Sequence, residues 1–134
     1  MEIEGDGYHI AVIAYINGRK ARMLIDTGAS RTVFDSTRIM RFLKDKTSAF
    51  TKNQQLSAGL GTTTLESHST SLSSFRLGDY RIKPYQAILL DLSNINHSYA
   101  LIGLAPIDGV IGSDLLKQLK ATISFSKKYL SFSF

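Results

Sequence analysis

Short bursts of alternating apolar and polar residues, separated by turn-forming pairs, run through most of this chain, with the period of two expected of half-buried β-strands. Tyr8 to Ile16 is a β-rich run. Asn17-Gly18, a pair suited to the left-handed positions of a tight hairpin, predicts a return strand over Arg19 to Ile25. Thr32-Val33-Phe34 predicts a further short strand, and Asp35 or Ser36 is placed to cap a helix reaching Leu43. From Phe50 to Leu92 the pattern predicts long strands folded back at Gly59-Leu60-Gly61 and at Gly78-Asp79. Leu72, Phe75, Leu77, Ile82, Tyr85, Ile88 and Leu90 are its inward candidates. The alternation is lost from Ser93 to Ala105, which reads as a loop ended by Pro106. Ile107 to Gly112 then reads as a strand. Ser113 or Asp114 is placed to cap a two-turn helix with Leu115, Leu116 and Leu119 on its buried face. Ala121 to Phe125 and Tyr129 to Phe134 close the chain as strand, turn, strand. Leu130, Phe132 and Phe134 alternate with serine, so the last strand needs a partner for its apolar face. The class is all-β with one or two short helices, in a single domain spanning 1–134.

Composition narrows the chemistry. A length of 134 residues supports a core without staples, and with 43% hydrophobic and 20% charged residues the chain is an ordinary globular one. The absence of cysteine removes disulfide scaffolds, thiol nucleophiles and cysteine-ligated metals together. No apolar run is long enough to cross a membrane as a helix, and the first residues lack the layout of a secretory signal. A soluble chain is therefore the expectation, with its compartment left open and the cytoplasm slightly favoured. The net charge of +5 raises nucleic acid as a partner, but the basic residues are scattered. The one cluster, Arg38, Arg41, Lys44, Lys46 and Lys52, reads as a solvated helix face, and no nucleic-acid partner is expected. His9, His68 and His97 are isolated, and the serine run from Ser67 to Ser74 reads as the solvent face of a strand. Neither a metal site nor a Ser-His-Asp triad is indicated, and no cofactor is expected.

One carboxylate stands apart. In Met23-Leu24-Ile25-Asp26-Thr27-Gly28-Ala29-Ser30, Asp26 directly follows three apolar residues, at what reads as the buried end of a strand. An ionised carboxylate there needs partners, which the turn can supply through backbone N–H groups and the Thr27 hydroxyl. Gly28 allows the close approach and positive φ that such a turn can demand. Asp-Thr-Gly alone is equally a structural turn. Two further elements change the reading: Val110-Ile111-Gly112 opening a leucine-rich helix, and Gly59-Leu60-Gly61 at a hairpin tip, where a mobile lid would sit.

With these elements in this order the chain resembles the retropepsin-like aspartic proteases, single-domain homodimeric relatives of pepsin. The resemblance is carried by Ile25-Asp26-Thr27-Gly28-Ala29, by Val110-Ile111-Gly112-Ser113-Asp114-Leu115-Leu116, and more softly by Ala58-Gly59-Leu60-Gly61-Thr62 as a flap. It implies a closed acid-protease barrel with its active site at a two-fold dimer interface, and an endopeptidase acting on extended polypeptides. Hydrolysis without a covalent intermediate needs one carboxylate as base and one carboxylic acid. This chain has one Asp-Thr-Gly, so the second group must come from a second copy. Two carboxylates that close cannot both ionise and share a proton, as aspartic proteases do generally. The resemblance further implies that Asp26 is catalytic, that Thr27 bonds across the dimer axis, and that Gly28 presents its amide to the carboxylate. Ala29 replaces the serine of pepsins, which implies activity at mildly acidic to near-neutral pH. Gly59, Leu60 and Gly61 would form the flap. Val110 and Ile107 would line apolar subsites, or alternatively are plain core.

There are departures. Retroviral members are shorter, and the extra residues fall around Asp35 to Lys52 and Ser93 to Ala105. Ser30 and Arg31 stand where those members carry acidic residues, and Ser113 where they carry arginine, so an intrachain ion pair is missing. Two readings stay open: an active homodimeric endopeptidase, and an inactive peptide-binding or dimerisation module that keeps the frame.

Overall fold

The computed structural model describes residues 10–43, 51–52, 56–57, 64–65, 68–82 and 85–133. The expected first hairpin is present as β1 (Ala11–Ile16) and β2 (Arg19–Ile25), paired antiparallel from Ala11↔Leu24 to Ile16↔Arg19. At its tip Asn17 has φ 50° and Gly18 φ 82°, the pair of left-handed residues that a two-residue turn matched to strand twist requires. β3 (Val33–Asp35) is followed by a 3-10 helix over Arg38–Phe42. Then come β4 (Thr51–Lys52), β5 (Leu56–Ser57), β6 (Thr64–Leu65), β7 (His68–Leu72), β8 (Phe75–Leu77), β9 (Tyr80–Ile82) and β10 (Tyr85–Leu90). The chain ends with α1 (Ser93–Leu101), β11 (Gly109–Ile111), α2 (Ser113–Gln118), β12 (Thr122–Ser124) and β13 (Tyr129–Ser131).

Nine strands form one sheet in the order β4-β7-β10-β3-β11-β2-β1-β8-β9. β8 and β10 are five places apart in that order, which in a flat sheet is about 24 Å. The rings of Phe75 on β8 and Tyr85 on β10 nevertheless lie 5.0 Å apart, with Phe34 edge-on to both. The sheet therefore curls round its own core as a half-barrel. Val12, Ala14, Ile16, Ala21, Met23, Ile25, Phe34, Phe75, Leu77, Ala87, Leu89 and Ile111 all enter that core, and Leu115, Leu116 and Leu119 of the α2 segment close it.

Strand parity puts a second cluster on the opposite face. Val33, Leu92, Tyr99, Ile107 and Val110 are buried there, with Leu24, Ala29, Ile88, Leu90, Ile95 and Leu104 packed half-buried around them. Ile88 and Leu90, expected on the main inward face with Tyr85, thus belong to the other one; Ala87 and Leu89 take the main core. Because β10 is covered on both faces, its apolar run carries no alternation from which to read the phase.

Four other expectations are corrected. The segment from Ser93 is the helix α1, and only its exit to Pro106 is loop. The long strands expected after Phe50 break at Ser73-Ser74, where Asn17 intervenes: its side-chain oxygen accepts from the Ser74 N–H at 3.1 Å and the Ser73 hydroxyl at 2.8 Å. Ser69 and Thr70 are buried, since β7 lies inside the sheet between β4 and β10. Neither expected side-chain cap forms on α2, whose N-cap is Gly112. The terminal strand, expected to reach Phe134, ends at Ser131 and has a partner over that length; Phe134 lies outside the described residues. β13 pairs with β12, and Leu130 is 1% exposed.

Candidate active site

β11 returns between the two strands that flank the Asp26 turn, parallel to β2 and antiparallel to β3, with Ile111 opposite Ile25. The Asp26 N–H donates to the Ile111 carbonyl at 3.0 Å, and the Ser113 N–H donates to the Ala29 carbonyl at 2.7 Å. The two motifs that are far apart in sequence are thus bonded to each other on both sides of the turn. Gly112 lies where they cross. A Cβ there would come within 2.6 Å of the Arg31 carbonyl oxygen and 2.8 Å of that of Ala29, so only glycine fits.

Inside the turn, the Gly28 N–H donates to Asp26 Oδ1 at 3.0 Å. Gly28 does not adopt a positive φ; a Cβ there would stand 3.3 Å from the same oxygen, so the carboxylate would have to shift by a few tenths of an ångström to admit one. The expectation of a buried carboxylate is not met within one chain. Ile25 is the last residue of β2 to enter the core, and Asp26, Thr27 and Gly28 stand exposed beyond the strand end.

Thr32 and Asp114, which the sequence did not single out for this purpose, brace the loop from behind. The Thr32 N–H and hydroxyl donate to Asp114 Oδ2 and Oδ1 at 3.0 and 2.8 Å, and the Gly112 N–H donates to the Thr32 hydroxyl oxygen at 3.1 Å. Asp114 Oδ1 also accepts the Leu115 N–H, in the first turn of α2 where a carboxylate favours the helix dipole. Neighbouring Tyr85 has its phenol pushed up to about 12, chiefly by burial and next by the Asp114 charge, against a hydrogen bond with Thr32 that pulls it down. These bonds tie the Asp26 loop to α2.

Leu24, Val110, Val33 and Ile88 are in register across four neighbouring strands. They form an apolar shelf, and Asp26, two residues beyond Leu24, follows on the same side of the ribbon. Val110 is 5% exposed and Ile107 fully buried, both packed with Leu92 and Tyr99 of the α1 segment. The open part of this surface is carried instead by Leu24, Ala29, Ile88, Leu90, Ile95 and Leu104.

The aspartyl protease family matches this sequence over residues 12–115, from the first strand through the loop, the shelf and the start of α2. The chain belongs to that family. Among solved structures it is similar to the retropepsin-like aspartic protease from Rickettsia conorii, with TM-score 0.60 and 18% identity over 96% of this chain and 85% of that one. It is also similar to the retroviral protease-like domain of Ddi1 from Leishmania major, with TM-score 0.54 and 16% identity over 93% and 88%. A third is EIAV protease complexed with the inhibitor HBY-793, with TM-score 0.54 and 20% identity over 85% and 90%. A search of curated protein sequences gives no match. The fold is thus that of retropepsin-like aspartyl proteases.

In this family member, the flap expected at Gly59, Leu60 and Gly61 lies outside the described residues, between the antiparallel partners β5 and β6. Of the basic cluster, Arg38 is half-buried and Arg41 exposed, and both face a carboxylate; Lys44, Lys46 and the Lys52 side chain lie outside the described residues. Arg38 Nε donates to Asp108 Oδ1 at 2.8 Å and Arg41 lies 3.5 Å from the same oxygen, while Asp108 Oδ2 accepts the Arg22 N–H. Asp108, at 3% side-chain exposure, recruits these arginines as structural partners. Among the described residues no helix is long and apolar enough to cross a membrane.

Proposed function

We propose that the protein is an aspartic endopeptidase acting as a homodimer on extended polypeptides. The observation that carries this reading is the exposed Asp26 carboxylate, held by Gly28 at the open end of β2 and flanked on one side by an apolar shelf. With a second copy related by a two-fold axis, two such turns meet and supply both acid and base. One Asp26 carboxylate takes a proton from a water molecule as its oxygen attacks the scissile carbonyl. The other, protonated, gives its proton to the carbonyl oxygen. Collapse of the resulting diol breaks the C–N bond, with a proton passing to the leaving amine. Thr27 would bond between the two loops and Gly28 and Ala29 would frame the carboxylate. Gly59, Leu60 and Gly61 would close over a substrate whose side chains meet the open apolar surface of Leu24, Ala29 and Ile88, with Val110 and Ile107 packed behind it as core.

The exposure of Asp26 and Thr27 in one chain also suits a dimerisation or peptide-binding module that does no chemistry. Sedimentation and a pooled-peptide digest across pH, on wild type and Asp26→Asn, separate the two. The expected result is cleavage that rises with dimer fraction, a pH profile with an acid and an alkaline limb, and an Asp26→Asn protein that dimerises without cleaving. A dimer inert at every pH favours the module, and a monomer inert at high concentration removes the shared site.

A further inference from the structure

The inserted helix α1 is fastened to the shelf rather than laid on the outside of the molecule. The Asn96 side chain bonds the backbone of Ile107 in both directions, accepting its N–H at 2.7 Å and donating to its carbonyl at 3.1 Å. At the other end, the Leu92 N–H donates to buried Asp35 Oδ1 at 2.8 Å, and Asp91 accepts the Ser93 N–H at 2.9 Å. These bonds fix α1 directly beside β11, the strand that is bonded to the Asp26 turn. Its apolar stripe, Leu92, Ile95 and Tyr99, joins the cluster that also contains Ala29, three residues past Asp26, and Leu24. Leu92 and Tyr99 are buried there. Ile95, and Leu104 from the turn after the helix, are only half-buried, on the same apolar surface as half-buried Leu24 and Ala29.

Charge adds a second observation. In a chain of net charge +5, residues 92–107 contain no Asp, Glu, Lys or Arg. A helix with only a solvent-facing role has no reason to be neutral over its whole length, whereas a wall that meets apolar side chains does.

We propose that α1 and its following turn form one wall of the substrate cleft, with Ile95 and Leu104 as specificity-determining residues that select a neutral, apolar substrate side chain beside Asp26. This rests on the endopeptidase reading and deepens it. Shortening either side chain enlarges the pocket, and pockets of this kind discriminate by roughly tenfold or more per methylene.

The test profiles cleavage of a peptide pool by wild type, Ile95→Ala, Leu104→Ala and Leu101→Ala, the last at an apolar position 74% exposed and outside the cluster. Ile95→Val and Leu104→Val serve in place of any alanine variant that fails to fold. The expected result is that the Ile95 and Leu104 variants shift preference at one substrate position toward larger apolar residues, by roughly tenfold in relative kcat/KM, with Leu101→Ala unchanged. Folded variants with the wild-type profile, or a Leu101→Ala shift of equal size, overturn the proposal. Methyl NMR of wild type with the same peptides separates this from the parent reading. Ile95 and Leu104 methyl shifts without cleavage keep the wall and remove the protease, whereas cleavage with those methyls unmoved does the reverse. If nothing binds and nothing is cleaved, both are withdrawn.

Discussion

Asp114 holds Thr32 by two hydrogen bonds, one to the backbone N–H and one to the hydroxyl, and the same hydroxyl oxygen receives the Gly112 N–H. One carboxylate on α2 thereby sets the distance between the strand leaving the Asp26 turn and the strand returning beside it. Asp114→Ala leaves two buried or half-buried donors of Thr32 unmet, and the expected cost is about 1–3 kcal/mol. Asp114→Asn keeps one acceptor and should fall between the two. Urea midpoints give the stability order. In the endopeptidase reading, kcat should fall more than KM changes in the alanine variant, because the loop is displaced and the shelf is not.

Gly112 and Gly18 make a paired prediction about glycine. At Gly112 a methyl group would overlap backbone on two sides, Arg31 and Ala29, neither of which can rotate away. Gly112→Ala should therefore separate β11 from the Asp26 turn and cost several kcal/mol, at the upper end of single-residue effects. At Gly18 nothing lies within 4 Å of the added carbon, and only the left-handed φ of 82° opposes it. Gly18→Ala should cost roughly 1 kcal/mol. Equal losses in the two variants, read from denaturant midpoints, would contradict this account of the crossing.

How much of this was legible in the sequence depended on whether the deciding interactions were local. The first hairpin was readable because Asn17-Gly18 fixes its own turn, and Asp26-Thr27-Gly28 was readable because the motif forms its own bond. α1 was missed because Asn94, Asn96, His97 and Ser98 are weak helix formers, and its stability comes from elsewhere: Asn96 on Ile107 and Tyr99 in the second cluster. The apolar spacing of Leu92, Ile95 and Tyr99 was the available signal. The phase of β10 was ambiguous for lack of alternation, and the grip of Asp114 on Thr32 joins residues far apart in sequence. Asp114 stood in a helix-capping position, which masked its other use.

Arg38 and Asp108 form an ion pair at 2.8 Å in which the carboxylate is almost wholly enclosed and the guanidinium is 25% exposed. Removing Arg38 alone leaves a buried carboxylate with Arg41 at 3.5 Å and the Arg22 N–H as its remaining partners. Arg38→Ala should cost about 3 kcal/mol, at the lower end for a broken buried pair because of that residual support. Asp108→Asn in the Arg38→Ala background should recover part of the loss, since the enclosed charge is gone. A double-mutant cycle on unfolding free energies measures the coupling, and additive losses would mean that the pair contributes nothing beyond its two separate side chains.

Tyr85 gives the chain an alkaline limit that can be assigned to one group. Its ordinary value of 10.0 is raised to about 12, first by burial and then by the Asp114 carboxylate, so the unfolded chain loses this phenol proton before the folded one does. Stability tied to neutral Tyr85 is therefore whole below pH 10 and is lost progressively as pH rises through about 12. Tyr85→Phe has no proton to lose. Its unfolding free energy relative to wild type should be flat up to pH 10 and then rise, because wild type declines while this contribution is absent from the variant. Asp114→Asn removes the second cause and keeps the first, so its decline should still begin near pH 10 but end lower in pH and be smaller than that of wild type. Denaturant unfolding of the three proteins at closely spaced alkaline pH values decides it. Parallel curves for wild type and Tyr85→Phe above pH 10 would show that Tyr85 titrates alike in the folded and unfolded chain, and that the phenol packed against Phe34 and Phe75 is not kept neutral by its surroundings.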